Sequence, residues 1–207
     1  MSAYRLHCFY ESGNSYKVAL MLALAGLDWQ PVPVGYFAGE TRQPDWRERL
    51  NEMGEAPVLE HDGKILTQSG VILDYLACTT GKFGWNDEDE RREILRWMLF
   101  DNHKFTSYYA TLRFFFGLRR TGETEVTTFL RGRATDAYRV VDRHLEKADF
   151  IVGGRPTIAD LSLAGYVYYP EPTGMDVARD FPAIEAWKAR IAALPGWQPP
   201  AALMPKV

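Results

Sequence analysis

Strand patterning fills the first eighty residues of this chain and then stops. Tyr4 to Tyr10 alternates and carries aromatics, which predicts a strand, and Ser15 to Ala25 is uncharged apart from Lys17 before it closes at Gly26, which predicts a buried helix with a glycine stop. Trp29 to Val34 is a second strand, confined to a sheet edge by Pro31 and Pro33, which lack the N–H a central ladder needs. Glu40 to Leu50 gives at best a short irregular helix. Pro57 to Glu60 and Lys64 to Thr67 form a hairpin joined by His61, Asp62 and Gly63, and Ser69 caps a helix through Ala77. Beyond KFGWN only helical spacing remains. One long helix carries Ile94, Trp97, Met98, Phe105, Tyr108, Leu112 and Phe115 on a single face, and others run Glu125 to Leu145, Thr157 to Tyr168 and Pro182 to Leu194. The order is βαβ, ββα, then all α, an α/β unit of thioredoxin type (residues 1–80), a linker (81–87) and an all-helical domain (88–207).

Composition narrows the function. A chain of 207 residues can bury a substantial core, and a net charge of −3, with Arg131, Arg133, Arg139 and Arg143 offset by nearby acids, argues against nucleic acid as a partner. The longest apolar run, Val18 to Ala25, is far short of the roughly 20 residues a bilayer span requires. No secretory pattern opens the chain, so a cytoplasmic location is expected. Cys8 and Cys78 show no CxxC spacing and His103 has no companion at ligand spacing, so neither a metal nor a disulfide framework is expected, nor a resident cofactor.

Two stretches carry candidate chemistry. In GEAPV, an Ala56–Pro57 bond pays little for the cis isomer, which turns the preceding main-chain N–H and C=O outward, where an extended peptide could pair; the competing reading is that Pro57 simply begins an edge strand. In LTQSG, Ser69 at a helix start offers free N–H groups, a positive dipole end and a hydroxyl, and Gln68 can reach the same anion from the side.

The stretches SGNSYKV, GEAPVLEHDGKILTQSGVILDYLA, RPTIADLSLAGY and FPAIEAWKARIAALPGW, in this order over nearly the whole chain, resemble the cytosolic glutathione transferase family, with a bacterial, zeta- or theta-like serine loop. The resemblance implies glutathione as co-substrate, a small hydrophobic electrophile as second substrate, and a homodimer. It implies that Ala56 pairs with the cysteinyl unit, that Gln68 and Ser69 hold the γ-glutamyl end, and that Arg42 meets the glycyl carboxylate. Glu55 departs from the Lys or Gln of many relatives, and it either points away from the glycyl end or weakens binding.

The same resemblance assigns Ser12 the task of stabilising the thiolate. A free thiol of pKa about 8.5 is only a few per cent ionised at neutral pH, and lowering it by about two units corresponds to roughly 2.7 kcal/mol of stabilisation. Asn14 is the rival donor; Ser15 is placed to donate too but looks more like the N-cap of the following helix, while Gly13 permits the turn that aims Ser12 inward. Tyr10, at a strand end, and Tyr4 are less suited by position. Asp101, a carboxylate on an apolar stripe, either reaches the glutathione amino group across a subunit interface, as in relatives, or pairs internally with Arg96 or Lys104. Tyr108, Tyr109 and Phe115 supply an aromatic surface for the second substrate. An isomerase of maleylacetoacetate type is also implied, although Gly13 and Asn14 replace part of that group's SSC. Disulfide or peroxide reduction, or a non-catalytic interaction protein on the same scaffold, are the alternatives.

Overall fold

The computed structural model describes residues 4–206. These divide into two compact units: residues up to Gly84 together with Leu194 onward, and Trp85–Ala193. The first is built on a four-stranded sheet of order β2-β1-β3-β4, with β1 (Tyr4–Cys8), β2 (Trp29–Pro33), β3 (Val58–His61) and β4 (Lys64–Thr67). β1 runs parallel to β2 and antiparallel to β3, and β3 and β4 form the hairpin. The proline-bearing β2 lies at the edge, as its sequence requires. His61 belongs to β3 rather than to the turn. The turn is the Asp62–Gly63 pair, with φ of +46° and +74°, both left-handed as a tight two-residue hairpin demands.

Helix α1 (Gly13–Leu24) buries Val18 through Leu22 completely, which explains its lack of a polar face. It starts two residues earlier than the sequence pattern suggested, because Ser12 and not Ser15 caps it. A short 3-10 turn (Glu40–Arg42) and α2 (Pro44–Arg49) resolve the irregular charged segment, and Trp46 of α2 packs with Val34 and Val58. Helix α3 (Ser69–Thr80) extends three residues beyond expectation and ends on Gly81 at φ +67°.

The contact pattern departs from the expected boundary at the far end of the chain, since residues from Leu194 onward return to the first unit. The Tyr16 hydroxyl donates to the Gln198 carbonyl at 2.8 Å, and Gly196 lies so near α1 that a Cβ there would stand 3.0 Å from the Ala23 carbonyl oxygen. A short α10 (Pro200–Leu203) follows, and Met204 beyond it is buried.

The second unit opens with α4 (Glu88–Phe100), capped by Asp87. The predicted single long helix is not regular. It widens to i→i+5 bonding at Asp101–Phe105, resumes as α5 (Thr106–Leu112), and widens again at Arg113–Leu118. Each wide turn adds a residue and rotates the helix beyond it, so Tyr109 rather than Tyr108 is buried beside Phe105 and Leu112. The second wide turn carries the buried Arg113, which pairs with Glu171 at 2.8 Å. Helices α6 (Glu125–Leu145), α7 (Ile158–Leu163), α8 (Val177–Asp180) and α9 (Pro182–Ala192) complete the unit. Thr157 and Asp160 form the capping box expected at the start of α7, and Trp187 of α9 is fully buried with its indole N–H on Asp160. The helix stops at Leu163, five residues short of the expected Tyr168, where Gly165 turns back to the Ser162 carbonyl. Among the described residues, no helix is long and apolar enough to cross a membrane.

Candidate active site

Strand register gathers the candidate residues at one end of the sheet. His7 faces Val58 across β1 and β3, and Val58 faces Thr67 across β3 and β4. The segment after β1 (Phe9–Ser12), the segment before β3 (Ala56–Pro57) and the segment after β4 (Gln68–Ser69) therefore leave the sheet side by side. β2 is parallel to β1 with Cys8 opposite Pro33, so the chain leading to Arg42 departs from the same end. Tyr4 starts β1 at the opposite end, where its ring stacks on His61 with centroids 3.7 Å apart. It is outside the site.

Ser12 is nearly buried, and its Oγ accepts the Ser15 amide at 3.1 Å while its own amide donates to the Phe9 carbonyl. A hydroxyl that accepts this bond keeps its proton available to donate. The cap role assigned to Ser15 thus belongs to Ser12, because the chain turns at Phe9–Ser12 and Gly13 is already helical. Among the described residues, Ser15 Oγ and Asn14 Oδ1 are buried without a hydrogen-bond partner. Tyr10 lies under the Lys206 ammonium, 5.1 Å from the ring centre. The Cys8 thiol is fully buried, and desolvation pushes its pKa up to about 12, only partly offset by the Val32 main-chain bond, so it is no nucleophile.

The Ala56–Pro57 bond is cis, and Ala56 makes no main-chain hydrogen bond among the described residues. Its N–H and C=O remain open to an added strand. The turn before it is braced: Asn51 Nδ2 donates to the Glu55 carbonyl at 2.9 Å, and Asn51 Oδ1 accepts the Met53 amide. Gly54, at φ +69°, fits where a Cβ would come within 2.9 Å of the Thr41 carbonyl oxygen.

Gln68 occupies φ +66°, a costly conformation for a residue with a Cβ, and stands at the N-cap of α3 without capping it. Ser69 is the first helical residue, a correction to the cap expected of it. The first-turn amides of α3 consequently keep no side-chain acceptor, which is the arrangement an anion-binding helix start requires. Gln68 Nε2 donates to Glu55 Oε2 at 3.0 Å and also approaches Met53 Sδ at 3.2 Å. Sequence reasoning missed this contact, although the unusual Glu before Ala-Pro was its signal. Arg42 is exposed and its guanidinium makes no bond among the described residues.

The second unit corrects two expectations. Asp101 is 0% exposed and accepts from Thr106 Oγ1 at 2.5 Å and Ser162 Oγ at 2.6 Å, so it is not exposed to a partner's ligand. Arg96 pairs with Glu93. Tyr109 stacks on Tyr138 in the unit's core, and burial raises its pKa, so it is packing rather than pocket lining. Tyr108, under the Arg133 guanidinium, and Phe115, edge-on to Phe114, stay half-buried. No cluster of three or more His, Cys, Asp or Glu among the described residues could hold a metal ion.

Comparison with known proteins fits this arrangement. The model of the glutathione S-transferase N-terminal domain matches residues 2–78, and that of the C-terminal domain matches residues 107–195. A maleylacetoacetate isomerase of Rhizobium meliloti is 30% identical over 201 residues, 93% of each chain. The chain belongs to the glutathione S-transferase family. A solved glutathione S-transferase of Pseudomonas fluorescens superposes with a TM-score of 0.89 at 32% identity, over 96% of this chain and 99% of its own. A glutathione transferase of Burkholderia graminis, solved with two glutathione molecules per subunit, gives a TM-score of 0.80 at 25% identity, over 94% of this chain and 85% of its own. The first unit, with its thioredoxin-like sheet, carries every segment of this transferase's candidate glutathione site.

Proposed function

We propose that the transferase binds glutathione along the open main chain of Ala56, with its γ-glutamyl carboxylate at the uncapped start of α3 and its sulfur beside Ser12. The observation that carries this reading is the convergence, at one sheet end, of a hydroxyl with a free proton, an unpaired main-chain edge and an uncapped helix. Ser69, Gln68 and the first-turn amides of α3 supply donors to the carboxylate, and Arg42, which has no partner among the described residues, is the donor for the glycyl carboxylate. Ser12 stabilises the thiolate by donation, in the manner of a zeta- or theta-like serine loop, with Asn14 as its rival. The thiolate then forms a bond to an electrophilic carbon of the second substrate, either displacing its leaving group as an anion or adding to an activated double bond whose electron pair takes up a proton. Tyr108 and Phe115 are retained as candidates for the electrophile's surroundings, and a homodimer is the expected assembly.

Calorimetric titration with glutathione, followed by ultraviolet absorbance of the bound thiolate against pH, tests the reading. Binding together with a thiol pKa well below about 8.5 is expected. Absence of binding at millimolar glutathione would favour a non-catalytic interaction protein. An isomerase reading has one specific support, the full-length similarity to the Rhizobium meliloti maleylacetoacetate isomerase. Turnover of maleylacetoacetate measured beside a standard aromatic halide separates isomerase from transferase.

A further inference from the structure

We propose that Glu55 is the counter-charge for the α-ammonium group of the bound γ-glutamyl thiol. The inference rests on the glutathione reading above and deepens it. The γ-glutamyl end carries a carboxylate and an ammonium on one carbon. The groups already assigned to that end serve the carboxylate: the first-turn N–H groups of α3, the Ser69 hydroxyl and the Gln68 amide. None of them is anionic. An ammonium brought against the protein beside a helix start, whose dipole end is itself positive, needs an anion to offset its lost hydration.

Asp101, the carboxylate that the sequence suggested for this role, is sealed in the second unit with Thr106 and Ser162. Glu55 stands where the charge is needed. Its Oε2 lies 3.0 Å from Gln68 Nε2, at the rim of the donor cluster, and its carboxylate is exposed and in no ion pair among the described residues. The main chain beneath it is braced, where Asn51 holds the Glu55 carbonyl and Gly54 packs against Thr41 and Arg47. From that backbone the side chain reaches Gln68.

The Gln68 amide nitrogen has two hydrogens. One goes to Glu55, and the other meets only Met53 Sδ at 3.2 Å, a weak acceptor that a ligand carboxylate would displace. Gln68 can then bridge the ligand carboxylate and Glu55, leaving Glu55 Oε1 for the neighbouring ammonium. Acceptor and donors alternate around the amino-acid end, so each charge meets its opposite.

The test is calorimetric titration of the full chain with glutathione and with its des-amino analogue, glutaryl-cysteinylglycine. The wild type should bind glutathione about ten-fold more tightly than the analogue. Glu55→Gln should lose most of that preference by weakening glutathione alone, and Glu55→Lys should weaken glutathione further. Glu55 is exposed, so neither variant is expected to disturb folding. If the wild type binds glutathione while Glu55→Gln or Glu55→Lys binds it equally or more tightly, Glu55 repels the ligand or ignores it and the proposal is overturned alone. A wild type that binds neither compound would overturn the glutathione reading as well.

Discussion

Ser12 Oγ accepts the Ser15 amide at 3.1 Å, so the oxygen that starts helix α1 is the same one proposed to donate to the thiol. The helix fixes the hydroxyl's lone pair, and the remaining freedom is rotation of its proton.

Two substitutions separate those duties. Ser12→Ala should lose the cap, about 1 kcal/mol, and return the bound thiol toward its free pKa near about 8.5. Ser12→Asp should restore the cap and with it the stability, yet raise the thiol pKa further, because a carboxylate offers no proton and repels a thiolate. Urea titration reads the first property and thiolate absorbance the second. A Ser12→Asp variant with wild-type thiol ionisation would move the donor role to Asn14 or the main chain.

Asp160 concentrates hydrogen bonds in the second unit. Its carboxylate accepts from the Ile151 and Thr157 amides and from the Trp187 indole, each at 2.9 Å, and from Thr157 Oγ1. Burial raises its pKa despite those donors. Asp160→Ala should destabilise by about 3 kcal/mol or more, since it strands several buried donors at roughly 1–3 kcal/mol each. The expected result is a lower urea midpoint with an unchanged slope. A loss under about 1 kcal/mol would mean that water or relaxation satisfies the orphaned groups.

Much of the first unit was legible because its signals are local. Alternation marks β1, prolines mark the edge strand and Asp62–Gly63 marks the turn, whereas the register that brings Ser12, Ala56 and Gln68 to one end is seen only in the structure. What escaped was set by geometry that residue type does not encode. Ser12 and Ser15 are both plausible caps, and only the path of the Phe9–Ser12 turn chooses between them. The wide turns after Asp101 and Arg113 shift spacing by a single residue, too little to show in an apolar stripe that already contains Tyr108 and Tyr109. Asp101 could be read as a contact across a subunit interface or as an internal partner of Arg96 or Lys104, and the hydroxyl of Ser162, sixty-one residues away, has no local sign. The return of Gln198 to Tyr16 is likewise a long-range contact with no local sign.

Glu90 and Arg155 give the second unit an acid sensitivity of known sign. The Arg155 guanidinium bonds both Glu90 carboxylate oxygens, at 2.5 and 3.0 Å, and holds the Glu90 pKa below its usual 4.5. A lowered folded-state pKa means that stability is present above about pH 4.5 and is lost as pH falls through the folded value. Arg155 is 36% exposed, so solvent screening limits the pair to about 1 kcal/mol. Arg155→Gln should therefore be less stable than the wild type near neutral pH, with the gap closing as pH falls below about 4.5 and through the lowered folded-state value. Urea midpoints measured across that range check it, and a gap that stays constant with pH would mean that the pair acts by packing alone.

The two cysteines should differ sharply in reactivity although neither takes part in the proposed chemistry. Cys8 is buried at the end of β1 with its thiol pushed up to about 12, whereas Cys78 is exposed on α3. Alkylation requires both access and thiolate, and Cys8 has neither near about pH 8. Brief treatment of the native protein with iodoacetamide should add one carbamidomethyl group, mapped by peptide mass to Cys78, and a second should appear only on unfolding in guanidinium. The glutathione site should be untouched, so binding before and after labelling should agree within error. Early labelling of Cys8 would mean that β1 opens to solvent on the timescale of the reaction, and the strand that orders the Ser12 loop would then be less firmly held than its burial implies.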